Sequence, residues 1–172
     1  VLDPNERFET PEGAKQVSRS LESFDRVILE SPIPQNRLDW YVELRKSIPQ
    51  PIALHLTSWK ELLAALRLDA ADHYNLLGPM VEFVRWARLT EQAGCSTWRG
   101  TGMDLGIRDA SSLHAAAAAG CSLPSDIIGH LLREDDLIVE PLAFRDGALV
   151  VPNEPGLGVT LDLNALARYR VP

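Results

Sequence analysis

The stretch RVILESPIPQNRLDWYVELRKSIPQPIALHLTS, residues 26–58, decides the fold. Arg26-Val27-Ile28-Leu29 is a short apolar run that ends on Glu30, and Pro51-Ile52-Ala53-Leu54 is another that ends on His55. Between them, Arg37 to about Lys46 has helical patterning. Ser47-Ile48-Pro49-Gln50-Pro51 closes that helix, because two prolines cannot continue it. Strand, helix, strand at this spacing is the unit of a parallel α/β fold. The same reading extends upstream, where Val1-Leu2 precedes Asp3. Groups at the ends of successive parallel strands converge on one face, where barrels of alternating strands and helices place their chemistry. Asp3, Glu30 and His55 are therefore expected to meet. Two carboxylates and a third ligand-type side chain suit a divalent cation, although imidazole is a poor partner for magnesium.

The alternation continues downstream. Thr10 is a candidate N-cap with Pro11 at the first helical position, opening a helix to about Phe24. A helix after Thr57-Ser58 carries Leu62, Leu63, Leu66 and Leu68. A strand near Ala71 to Leu76 follows, then a helix from Met80 to about Ala93 with Val81, Phe83, Val84 and Ala87 as its apolar face. Cys95 to Trp98 is the next strand, Ile107 to Gly120 an alanine-rich helix, and Cys121 to Leu123 the last strand. About six strands result, whereas a closed barrel of this kind needs eight. The chain also starts mid-strand without methionine, so a preceding N-terminal portion is expected. An open barrel of six strands would expose two parallel edges, which argues against independent folding.

After Leu132 the pattern changes. Leu137 to Leu142 and Ala148 to Val151 read as β-like runs around Arg145-Asp146-Gly147, and Asp162 to Arg168 reads as a short helix. The glycines of Pro152 to Gly158 lack the strand and long helix that frame a phosphate loop, so they are read as a turn.

Composition narrows the classes. The chain has 172 residues, 45% hydrophobic and 24% charged, as in a soluble globular domain. A net charge of −7 argues against a general binder of nucleic acid or anionic membrane. No apolar run is long enough to span a bilayer. Two cysteines, Cys95 and Cys121, give no disulfide framework; they are read as buried apolar thiols, and a reducing cytoplasm is the expected compartment.

The ending LPSDIIGHLLREDDLIVEPLAFRDGALVVPNEPGLGVTLD, Leu123 to Asp162, resembles the C-terminal signature of the mandelate racemase/muconate lactonizing enzyme family in the enolase superfamily. LDPNERF, ILESPIP and GTGMDLGIRDASSLHAAAA resemble that family's third, fourth and seventh barrel strands with their loops. The resemblance implies the later part of a modified (β/α)₇β TIM-type barrel, about strands three to eight, over 1–134. It implies a C-terminal strap over 135–172, joining an α+β capping domain. It also implies an essential Mg2+, a small-molecule carboxylate substrate, and homo-oligomers. The implied chemistry is abstraction of a proton α to the carboxylate, with the enediolate's charge stabilised by the cation.

Asp3 matches the first family ligand and Glu30 the second. Asn5, two residues beyond Asp3 along an extended segment, is expected to share its side and bond metal-bound water or substrate. His55 stands where the family usually has Asp or Glu, with Leu56 where a second acid is common. Either His55 completes the site and favours Mn2+, iron or zinc, or the ligand is lost and metal binding fails. The lysine common on the sixth strand is Leu77 here. The seventh strand, which in other members carries histidine, reads Trp98-Arg99-Gly100. Asp104 and Asp126, in loops at the functional end, either contact substrate or cap helices; Arg99 is a candidate carboxylate clamp or a surface arginine. Asp72 reads as structural, and His114 as a satisfied helix residue.

These departures favour a lyase needing one base, such as an acid-sugar dehydratase, over a racemase or epimerase, which needs two; a cycloisomerase also needs only one. The competing class is a non-catalytic homologue, supported by Leu56, Leu77 and Gly100.

Overall fold

A computed structural model of the chain describes residues 1–171. Four parallel strands lie side by side in chain order: β1 (Leu29–Glu30), β2 (Ile52–Leu56), β3 (His73–Leu76) and β4 (Ser96–Arg99). Helices α1 (Pro11–Ser20), α2 (Leu38–Ser47), α3 (Trp59–Leu68), α4 (Met80–Gln92) and α5 (Gly106–Ala119) connect or flank them. The α/β class, and the parallel sheet expected of the later part of a barrel, are as the sequence indicates.

Register divides the side chains between two faces. Ala53 aligns with His73, His55 with Asn75 and Asn75 with Trp98; Leu56 aligns with Leu76 and Leu76 with Arg99. Since side chains alternate along a strand, Glu30, His55, Asn75 and Trp98 occupy the inner face. Leu29, Ile52, Leu54, Leu56, Tyr74 and Leu76 occupy the outer face. Of these, Ile52, Leu54, Leu56, Tyr74 and Leu76 pack against Tyr41 and Leu44 of α2, Leu62 and Ala65 of α3, and Phe83 and Ala87 of α4 as one core. Tyr41 is wholly buried and donates its hydroxyl to the Ile33 carbonyl.

Local signals place the helices. Thr10 accepts from the Gly13 amide to cap α1, and Ser58 accepts from the Glu61 amide to cap α3. Three expectations change. Helix α1 stops at Ser20 rather than near Phe24. On α4 the buried stripe is Phe83, Trp86, Ala87 and Thr90, while Val81 is exposed, because the face toward the sheet lies one position around from that expected. Of six expected strands, the first and last form no full ladder. Leu2 makes one parallel bridge to Leu29, and the segment after α5 makes only two backbone hydrogen bonds to β4, Leu123 N–H to Thr97 O and Asp126 N–H to Arg99 O. Cys95 and Cys121 are free and half-buried against the main core rather than fully enclosed.

Beyond α5 the chain makes a 3-10 turn at Gly129–Leu131, a hairpin of β5 (Phe144–Arg145) with β6 (Ala148–Leu149), and α6 (Leu163–Tyr169). The hairpin turns on Asp146 and Gly147 at φ 49° and 82°, the paired left-handed geometry that glycine favours. The turn is where the sequence placed it, but its partner strand is Phe144–Arg145. Leu137 to Leu142 forms no strand; Ile138 bridges Leu161 instead. Gly158 N–H bonds Pro155 O, so the Pro152 to Gly158 glycines do form a turn.

This C-terminal segment is fastened to α5. Ile138 and Leu142 pack on Ala110, with Leu149, Leu157 and Val159 around them. Arg133 donates to Asp109 Oδ2 at 2.9 Å, to Asp136 Oδ2 at 2.6 Å and to the Asp104 carbonyl. Asp136 Oδ1 in turn accepts from the Gly106 amide at 2.8 Å, capping α5 from a distant part of the sequence. Asp109 is wholly buried, and burial raises its pKa against the pull of Arg133. In the natural full-length protein, Arg133→Met is expected to cost about 3–5 kcal/mol in urea unfolding, because it leaves Asp109 buried and unpaired. Adding Asp109→Asn should recover much of that loss; an additive double variant would show that the two do not interact.

Candidate functional site

The C-terminal end of the inner face gathers the residues on which the sequence reading rests. Glu30 ends β1 and is only 5% exposed. Its Oε1 accepts from Asn75 Nδ2 at 2.7 Å, and His55 Nδ1 lies 3.8 Å from the same oxygen. His55 is half-buried. Its backbone amide is held by Gln35 Oε1 at 3.0 Å, so the loop after β1 positions the residue near the end of β2.

Electrostatics mark this cluster. Burial pushes the Glu30 carboxyl up to about 7; Asp3 and Asp126 push it further, and Asn75 opposes them. Burial likewise raises Asp126 to about 6, against the pull of backbone amides and Arg99, with Asp3 adding a smaller push upward. Burial lowers His55 below its ordinary value, so its imidazole is neutral at pH 7, the form that ligates metals. Asn75 Oδ1 and Asp126 Oδ1 are buried without hydrogen-bond partners.

A buried carboxylate whose ionisation neighbouring carboxylates oppose, beside a neutral imidazole and unpaired oxygens, has the donor chemistry of a divalent-cation site. The mixture suits Mn2+, iron or zinc better than Mg2+. Asp3 is the loosest member: its exposed carboxylate accepts from the Asn5 amide at 2.8 Å within its own turn. Among the described residues no three His, Cys, Asp or Glu side chains are gathered closely enough to hold one ion, so the arrangement brings Glu30 and His55 together and leaves Asp3 outside.

The remaining candidates separate. Asn5 is exposed at φ 51°, in a turn rather than an extended segment, so the alternation expected to put it beside Asp3 does not operate. Asp104 caps no helix: its Oδ2 accepts from the Gly102 amide at 3.3 Å and pairs with Arg108 at 3.3 Å. Asp126 also caps no helix and stays with the inner cluster. Arg99 is neither a surface arginine nor on the inner face; it aligns with Leu76 and enters the helix layer. Asp72 is structural, bonding Arg45 and the Ile52 amide. His114 is within hydrogen-bond distance of the Leu157 carbonyl, as a satisfied helix residue should be.

Asn75 was missed. In His73-Tyr74-Asn75-Leu76-Leu77 the period of two puts His73, Asn75 and Leu77 on one face, but the resemblance points to a lysine or an aspartate on this strand, not to an amide. Leu77 and Asn75 crowd Gly100, where any Cβ would collide with Leu77 Cδ1 and Asn75 Oδ1. Beside His55 a cleft of about 810 Å³ is lined by Glu6, Gln35, Leu56, Lys60 and Glu61 among others.

Residues 1–165 match the family described as "Enolase C-terminal domain-like". Muconate cycloisomerase 1 of Rhodococcus opacus is 28% identical over 175 residues, covering 98% of this chain and 47% of that protein. N-succinylamino acid racemase of Thermus thermophilus is 31% identical over 147 residues, covering 81% and 40%. The solved muconate lactonizing enzyme of Pseudomonas putida superposes with a TM-score of 0.84 at 26% identity, covering 97% of this chain and 48% of that one. The chain thus spans about half the length of the relatives it matches.

The Glu30 shift fixes a pH dependence. Its folded pKa of about 7 lies above the ordinary 4.5, so its stabilising contribution is full below pH 4.5 and is lost as pH rises through 7. With chelator present, the natural full-length protein should lose up to about 3 kcal/mol of unfolding free energy over that window. Glu30→Gln should flatten the profile; an unchanged slope would remove Glu30 as its source.

Proposed function

The chain belongs to the enolase C-terminal domain-like family, and from that membership we propose that it supplies the barrel portion of a metal-dependent enzyme abstracting a proton α to a substrate carboxylate. The observation that carries this reading is Glu30 buried at a strand end, with its pKa near 7, beside a neutral His55 and within the field of Asp3 and Asp126. Residues 1–134 would form the barrel portion and 135–172 the strap toward a capping domain.

Glu30 and His55 would hold the divalent ion, and Asp3 would join them only by leaving the turn in which its carboxylate accepts from the Asn5 amide. Once bound, the ion would stabilise negative charge developing on the substrate carboxylate as a Lewis acid. Asn75 fixes the orientation of Glu30, and Gln35 that of the His55 backbone. Asp126 is the proton-handling group: its pKa of about 6 suits a base working near neutrality, and its buried Oδ1 has no competing hydrogen bond. Lys60, in the cleft beside His55, can pair with a second anionic group of the substrate. Neither relative compared above is an acid-sugar dehydratase; their names point to cycloisomerisation and racemisation. We therefore hold the outcome at an isomerase or lyase reaction that uses one base from this chain.

A second reading, a homologue that binds a carboxylate without turnover, is favoured by Leu77 and Gly100. They leave the inner ends of β3 and β4 without an ionisable group.

Calorimetric titration of the natural full-length protein should show Mn2+ binding more tightly than Mg2+. His55→Ala should weaken Mn2+ binding, and His55→Asp should reverse the preference. Catalysis is tested by deuterium exchange at the α-carbon of N-succinylamino acids in heavy water. The metal-loaded protein should exchange that proton, and Asp126→Asn should slow exchange by about 100-fold or more when both proteins are compared at saturating metal. A folded, metal-loaded protein that exchanges nothing would bring the non-catalytic reading forward.

A further inference from the structure

Arg99 is the last residue of β4 and only 3% exposed, yet its guanidinium has no carboxylate within 4 Å among the described residues. Its Nε donates to Ser112 Oγ at 3.3 Å and its Nη1 to the Gly78 carbonyl at 2.7 Å, and the group lies 4.8 Å above the Phe83 ring. Those contacts orient it but carry no counter-charge, and Nη2 makes no hydrogen bond to the described residues. A guanidinium cannot shed its proton to escape burial, as a carboxylate escapes by taking one up. Burial of an unpaired charge is strongly disfavoured unless something supplies the opposite sign.

Arg99 opens onto a cavity of about 480 Å³, which Arg108, Ser111, Thr57 and the Leu77–Met80 turn also line. The N-terminus of α4 meets this space with Pro79 as its cap, and no side chain bonds its first amides. Arg108 is exposed and pairs with Asp104 at 3.3 Å. Two arginines, a serine hydroxyl and an uncapped helix N-terminus thus surround one cavity, and no acidic side chain lines it.

We propose that this cavity is an anion site that takes a carboxylate or phosphate group between Arg99 and Arg108. The oxyanion accepts from the free Nη2 of Arg99, while Arg108 closes on it from the exposed side. Ser111 and the first amides of α4 satisfy its remaining lone pairs. The site is separate from the inner cluster, because Arg99 and Glu30 lie on opposite faces of the sheet. Two links join the sites: Leu77 lines this cavity and also crowds Gly100 on the inner face, and the Arg99 charge pulls down the pKa of Asp126.

The test is thermal unfolding of the natural full-length protein in chelator, with inorganic phosphate or acetate replacing chloride at constant ionic strength. The expected result is a saturable rise in Tm with at least one of the two, phosphate alone or acetate alone identifying which oxyanion the site takes. Arg108→Gln, a surface change, should weaken that anion about tenfold, the loss of one charge-assisted hydrogen bond. Glu30→Gln should leave the response intact, separating it from anion binding at the inner cluster. A Tm that follows ionic strength alone, or a saturable response that Arg108→Gln leaves unchanged, would overturn the proposal.

Discussion

Period-two alternation along parallel strands is the constraint on which the rest of this structure depends. Once His55 is in register with Asn75, and Asn75 with Trp98, every neighbour has its face assigned. Leu54, Tyr74 and Leu76 must meet the helices, and Glu30, His55 and Asn75 must meet one another. A slip of one residue would put leucines into the inner site and a carboxylate into the core. The helices enforce the choice, because Tyr41, Leu62 and Phe83 offer apolar surface only to the outer face.

The same rule explains what the sequence disclosed and what it hid. Glu30 and His55 were legible because each ends a short apolar run, so composition marks the strand and its end together. Four central strands and five helices were legible for a related reason: caps such as Thr10 and Ser58, and breakers such as Pro49 and Pro51, punctuate them. The outer strands were not. Leu2 and Leu123 have the apolar character of strands, but each carries too few paired residues here to form a ladder. Asn5 was misplaced because alternation was carried past the strand end into a turn, where a left-handed residue breaks it.

Arg99 shows a subtler limit. Its position near a strand end makes it look like Glu30 and His55, but a displacement of one residue in parity sends it to the other face. Parity has to be counted across paired strands, and only the register supplies that count. Asn75 was hidden for the opposite reason. Its parity was correct, but an amide carries no charge to draw the eye, and its role exists only through Glu30 forty-five positions away.

Glu30 and Arg99 pose the same physical problem on opposite faces of one sheet, and the protein answers it differently. Glu30 can meet burial by holding its proton, which is what a pKa near 7 means, and it gives that proton up when a cation arrives. Arg99 has no such freedom: burial and Arg108 lower its pKa, the more distant Asp104 and Asp126 oppose them, and the guanidinium stays charged. Its charge has to be met from outside, by hydrogen bonds, by the Phe83 ring, and by whatever anion enters the cavity. Leu77 stands between these two solutions, touching both cavity and inner face. An anion that orders the turn from Leu77 to Met80 would therefore also fix one wall of the inner site, without contacting Glu30 or His55.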